Sequence, residues 1–130
     1  MVILFDQFNL PEDIFEILFA TDQQIIVARE LFKMLKDKGG EVNKTEMGVF
    51  AQHMHEGKYE CTLDKAPYQG KKVKLSYNKR QFYDRILTPM RSMGLVQFDL
   101  YKKTYKMSDK FNKLMIKIGL LWLRDLDKHK

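Results

Sequence analysis

Apolar residues recur at helical spacing in five stretches of the chain and alternate in shorter ones. Ile14, Phe15, Ile17, Leu18 and Phe19 predict a short helix over about 10–19. Asn9-Leu10-Pro11-Glu12 opens it, with Asn as N-cap, Pro in the first turn and Glu three residues on. Thr21-Asp22-Gln23-Gln24 repeats the capping pattern. It opens a helix over about 22–37 with Ile25, Ala28, Leu31, Phe32 and Leu35 inward, ended by Gly39-Gly40. Glu41-Val42-Asn43 reads as a very short strand. Asn43-Lys44-Thr45-Glu46 is a third capping box, starting a helix over about 44–55 with Met47, Phe50, Ala51 and Met54 inward.

Residues 58–76 hold two strand-like pieces, YECTL and KVKLSY, around turn signals at Pro67 and Gly70, and read as an irregular hairpin or loop. Ser76 or Asn78 then caps a helix over about 77–93. Its stripe is Phe82, Ile86, Met90 and Met93, widened by Tyr83 and Leu87. Pro89 removes a backbone donor and should kink or interrupt it, and Gly94 ends it. Val96, Phe98 and Leu100 alternate with Gln97, Asp99 and Tyr101, which is strand periodicity. The chain reverses at Lys102-Lys103, and Tyr105 and Met107 continue a second strand. Ser108-Asp109 caps a last helix, over about 109–126. The prediction is a single domain over 1–130, mainly α with a small β element, an α+β fold.

Two stretches carry a family resemblance. LFKMLKDKGGEVNKTEMGVFAQ resembles the first helix, short strand and second helix of a winged helix-turn-helix. SYNKRQFYDRILTPMRSMGLVQFDLYKKTYKMSDKF resembles its recognition helix and wing. Within that fold the chain is similar to MarR-like transcriptional regulators, with a core over about 22–110 and extra N- and C-terminal helices. It departs from the family between the second and third helices, where residues 58–76 replace a connection of a few residues. The resemblance implies sequence-specific binding of double-stranded DNA by a small, dimeric, cytoplasmic regulator without a cofactor. The recognition helix, about 77–93, would enter the major groove, and the wing, about 95–108, would hold the backbone or minor groove. The other reading is a winged-helix adaptor that binds a protein in a transcription or replication assembly.

The residues make a physical case of their own. At about 100° per residue, setting the Phe82 stripe inward turns Arg80, Gln81, Asp84, Arg85, Thr88 and Arg91 outward. Arg donates bidentately to guanine, Gln pairs with adenine and Asp accepts from cytosine. Asn78 and Lys79 stand at the helix start, and Lys102, Lys103 and Lys106 offer point charges to phosphates. Net charge is +6, but it is segregated. Residues 1–37 hold three basic and seven acidic residues, whereas residues 65–106 hold 11 basic against Asp84 and Asp99. Such segregation points one face at a polyanion.

The last helix is apolar on two sides: Phe111, Met115, Ile118 and Trp122 on one, Ile116, Leu120 and Leu123 nearly opposite. A helix on a monomer needs one stripe. The N-terminal helix, through Phe15, Leu18 and Phe19, can cover one, and a second subunit the other. A homodimer interface is therefore expected among Phe111, Met115, Ile118, Leu120, Trp122 and Leu123.

The remaining signals exclude more than they add. Apolar runs are too short to span a bilayer, and no basic segment precedes the apolar N-terminus, so neither a membrane partner nor a secretory signal is expected. The single Cys61 cannot form an internal disulfide, which suits a reducing compartment. His53 and His55 diverge on a helix and, with Glu56 and Cys61, make a poor metal set. No phosphate-binding glycine loop and no supported Ser-His-Asp or Cys-His arrangement occurs, so no enzymatic activity is expected.

Overall fold

In the computed structural model, which describes residues 6–62 and 70–128, side-chain caps decide where most helices begin. Helix α1 (Ile14–Leu18) starts after Asp13, whose carboxylate accepts from the Phe15 N–H at 2.8 Å and pairs with Arg29. Asn9, the expected cap, is held in a turn in which Asp6 Oδ1 accepts from the N–H groups of Phe8 and Asn9 at 2.8 and 2.9 Å. The first helix is therefore shorter than the apolar spacing predicted. Helix α2 (Asp22–Asp37) is capped by Thr21, whose Oγ1 accepts from the Gln24 N–H at 3.1 Å. It ends where Gly39 and Gly40 take φ of 81° and 93°, which lets the Gly40 N–H donate back to the Leu35 carbonyl at 2.7 Å. Strand β1 (Glu41–Asn43) runs into helix α3 (Lys44–His55) through a reciprocal capping box. Asn43 Oδ1 accepts from the Glu46 N–H at 2.7 Å, and Glu46 Oε1 accepts from the Asn43 N–H at 3.2 Å.

Strands β2 (Tyr59–Thr62) and β3 (Lys72–Leu75) pair antiparallel, so residues 58–76 are built on a hairpin. The turn expected at Pro67 lies outside the described residues. The hairpin is fastened to α2 through a polar contact: the Tyr59 hydroxyl donates to Glu30 Oε1 at 3.2 Å, and Glu30 is only 5% exposed. Lys33 Nζ lies 3.8 Å from the other Glu30 oxygen, and the Tyr59 ring meets Phe50 edge-on at 5.1 Å. Burial, with Glu30 beside it, pushes the Tyr59 phenol well up. Burial likewise pushes the Cys61 thiol up to about 11, which disfavours its thiolate.

The expected helix over 77–93 is three pieces in one continuous run: α4 (Lys79–Phe82), a π-helical turn (Tyr83–Leu87) and α5 (Thr88–Ser92). Pro89 has no N–H, and its ring crowds the carbonyl four residues back. The chain answers by widening the turn, with the Thr88 N–H donating to the Tyr83 carbonyl. The helix is thus rewound rather than broken. Phe82, Ile86, Leu87 and Met90 are all buried on it, and Met93 half-buried.

Strands β4 (Val96–Asp99) and β5 (Thr104–Met107) form an antiparallel hairpin, and β1 adds to β5, giving a three-stranded sheet in the order β1-β5-β4. Val42, Tyr105 and Phe98 share one row across it. Leu31, Leu35, Met47, Met54, Phe82 and Ile86 are fully buried, and Phe50 joins Phe82 at 5.5 Å. Helix α6 (Lys110–Lys128) follows, its base locked to the α5–β4 turn where the Phe111 N–H donates to the Gly94 carbonyl at 3.1 Å. A Cβ on Gly94, at φ 85°, would stand 2.8 Å from the Phe111 nitrogen, so glycine is required there. The chain is a mixed α+β fold with small antiparallel sheets. No helix among the described residues is long and apolar enough to cross a membrane.

Helix α1 does not cover α6. Phe15 and Phe19 are buried, and Phe15 meets Phe32 of α2 at 5.9 Å. Phe111 is half-buried, and every later described residue of α6 is exposed. Both apolar sides of α6 are open, where one was expected to be closed from within the chain.

Candidate nucleic-acid interface

The run from Lys79 to Ser92 presents Arg80, Gln81, Asp84, Arg85, Thr88 and Arg91 to solvent, all exposed as the spacing predicted. The face carries Lys79, Arg80, Arg85 and Arg91 against one acid, Asp84. Arg80 Nε stands 3.7 Å from Asp84 Oδ2 with its side chain 91% exposed, a contact weak enough to exchange for another acceptor. Lys79 and Arg80 occupy the first turn, where the helix dipole disfavours cations and the helix has no acid. The positive helix end and the two cations therefore add into one positive potential.

Asn78 is a cap: its Oδ1 accepts from the Gln81 N–H at 3.1 Å, so that oxygen is not free to read a base. Lys79 is tied to α3, its N–H donating to His55 Nδ1 at 3.1 Å and its Nζ standing 3.4 Å from Gln52 Oε1. Gln52 and His55 thus border the helix start, with Asn78, Lys79, Arg80, Tyr83 and Asp84, in a recess of about 520 Å³. Gln52 lies on the face of α3 opposite Met47 and Met54 and His55 to one side of it, and nothing in the sequence says which helix they meet. His53 and His55 are both exposed, and no group of three or more metal-ligating side chains occurs among the described residues.

Arg91 joins the helix to the hairpin. Its guanidinium lies 5.1 Å from the Phe98 ring centre and 6.0 Å from that of Tyr105, and these two rings pack on each other at 4.7 Å. Below it opens a cleft of about 440 Å³ whose polar lining includes Thr88, Arg91, Ser92, Gln97, Ser108 and Lys110. Lys110 was not anticipated, because it belongs by sequence to the last helix and enters the cleft only through the tight turn at Gly94.

The hairpin tip differs from the strand periodicity. Leu100 and Tyr101 lie in the turn, because Asp99 Oδ1 accepts from the N–H groups of Tyr101 and Lys102 at 2.9 and 3.0 Å and stops the strand. Those two bonds, that from Lys102 the larger, hold the Asp99 carboxyl below the usual carboxylate range. Lys103 takes φ 54°, and its carbonyl accepts from the Lys44 N–H at 2.9 Å, which ties the tip to the start of α3. The tip therefore presents Lys102 and Lys103 beside Tyr101, which is 99% exposed and was missed as a candidate. Lys106 is not at the tip. It is exposed in mid-strand, between Glu41 and Gln97 on the neighbouring strands.

The expected assembly residues Met115, Ile118, Leu120, Trp122 and Leu123 all stand exposed on α6, and Phe111 half-buried at its base. The chain matches no family model, no curated protein and no solved structure.

Proposed function

We propose that the protein is a winged-helix regulator of transcription that binds duplex DNA. In this reading the run from Lys79 to Ser92 enters the major groove and the β4–β5 hairpin is the wing. The observation that carries the reading is Arg91. Its seat on the Phe98 and Tyr105 rings fuses a helix with four cations and a hairpin tip with two lysines into one basic surface. Arg80, Gln81, Arg85 and Thr88 are the base-reading candidates, because their side chains are exposed. Lys79, Lys102 and Lys103 set affinity through phosphates, and Lys106 contributes less, with Glu41 directly across from it.

Binding to duplex DNA measured across a salt series tests the proposal. The log–log slope should be steep, because each neutralised phosphate contributes about −0.9 to it. Lys102→Ala with Lys103→Ala should make the slope shallower by about one to two, equally for all sequences. A chain that shows no duplex binding at low salt refutes the proposal. The exposed Leu100 and Tyr101 at the tip would then favour a second reading, a winged-helix adaptor whose hairpin contacts a protein.

A further inference from the structure

We infer that α6 is an assembly helix that crosses a second copy of itself antiparallel at Gly119. Association of the helix does not require the DNA-binding reading to hold. Gly119 stands at the middle of α6, where glycine weakens a helix more than any residue but proline. Nothing among the described residues explains it: its φ is not positive, and a Cβ there would meet nothing within 4 Å. Its neighbours one turn away in both directions, Met115, Ile116, Trp122 and Leu123, are all apolar, and all are 40–65% exposed. The glycine is thus a dent at the centre of an open apolar patch, and a dent at a helix midpoint lets two backbones approach closely.

The patch is complementary to itself. At about 100° per residue, Ile116 and Leu123 fall on one flank of Gly119, and Met115 and Trp122 on the other. A twofold axis that brings Gly119 opposite Gly119 in antiparallel helices sets Ile116 against Leu123 of the second copy and Met115 against its Trp122. Each pair then meets within one residue of equal height along the axis. That symmetry is what an isologous contact demands and what a contact with an unrelated partner does not. Charge agrees. Lys113 near the root, which stands 3.6 Å from Asp109 within the chain, and Asp127 near the tip lie on the same flank, so antiparallel helices bring Lys113 opposite Asp127 of the second copy, a pairing that parallel helices do not offer. The helix also gains from a partner, since none of its described residues is buried and most helical stability in proteins comes from packing an apolar face.

The test is sedimentation of the full chain without DNA, over a concentration series. A dimer is expected. Gly119→Leu fills the dent and should raise its dissociation constant by roughly 10–100-fold, the range that overpacking of a tight contact gives. Lys117→Leu, on the far side of the helix, should leave it within a few-fold. Gly119→Ala separates the cases further: without a crossing it only strengthens the helix and any association through it, whereas at a crossing it weakens the dimer. Circular dichroism and thermal melting of each variant confirm that the rest of the chain is folded. A monomer at tens of micromolar, or a dimer indifferent to Gly119→Leu, overturns the inference. So does a monomer that instead floats with anionic phosphatidylserine vesicles, which would assign the apolar face to a lipid surface. A dimer that fails to bind duplex DNA upholds the inference and removes the proposed function; a DNA-binding monomer does the reverse.

Discussion

Two arginines on the same helix face do different work. Arg80 is nearly fully exposed, and among the described residues its ion pair is the weak one with Asp84, so its guanidinium can turn to a base edge. Arg80→Ala should cost about 1–3 kcal/mol on a cognate duplex and less on random DNA; equal losses on both would restrict it to phosphate. Arg91 is seated over Phe98 and Tyr105. Arg91→Ala should weaken cognate and random binding alike and lower thermal stability by about 0.5–1 kcal/mol, the scale of an exposed cation–π contact. Asp99 sets the hairpin tip through backbone bonds that favour its ionised form. A carboxyl depressed in the folded state contributes its order above the unfolded pKa near 4 and loses it as pH falls through the lower folded value. Amide exchange at Tyr101 and Lys102 should therefore stay slow down to about pH 4. Measured against the intrinsic exchange rate, that protection should fall as pH drops through the depressed folded value, and be absent at every pH in Asp99→Ala.

At the scale of elements, the β2–β3 hairpin and the π turn each show a local conflict settled by packing. The hairpin fills the place of a short turn, yet it is tied down by Tyr59 on the buried Glu30 and by the Phe50 ring. We therefore assign its root a structural role. Tyr59→Phe should lower unfolding free energy by about 1–2 kcal/mol, as expected for loss of a hydrogen bond to a charged acceptor. It should leave DNA affinity unchanged, and a fall in affinity without a fall in stability would put the hairpin on the DNA. The π turn answers Pro89 by spending a wider turn instead of a break, which keeps Phe82, Ile86 and Met90 buried along one helix. That continuity is why the exposed residues on either side of it, Arg80 and Arg91 among them, still belong to one surface.

At the scale of the whole molecule, the basic surface and α6 meet at Gly94, where the tight turn presses the base of α6 against the end of α5. Two winged domains joined by antiparallel α6 helices would sit at opposite ends of a rod about 28 Å long, given 1.5 Å per residue. That is the order of the roughly 34 Å between half-sites one DNA turn apart. A chain ending after Lys113 should keep its melting temperature at low concentration, because every described residue of the removed segment is exposed. On a two-half-site duplex it should bind on the order of 100-fold more weakly, since linkage of two sites is lost. A large drop in melting temperature would show that α6 supports its own domain.

The elements whose identity rests on neighbouring residues were legible before any coordinates. The bounds of α2, β1 and α3 follow from Thr21, Gly39-Gly40 and the Asn43–Glu46 box, because caps and left-handed glycines act within a few residues. The outward set from Arg80 to Arg91 was legible for the same reason, since one buried stripe orients every other position on a helix. Three things were decided only in space. Asp6 won Asn9 from the first helix, and Asp99 ended β4 early, because a short acid competes for whichever N–H groups the chain brings near. Gln52, His55 and Lys110 joined the basic surface because α3 and the Gly94 turn carried them there. Whether the N-terminal helix or another surface covers α6 depended on where α1 docks. It docks on α2, through Phe15 and Phe32, and the apolar sides of α6 are left open.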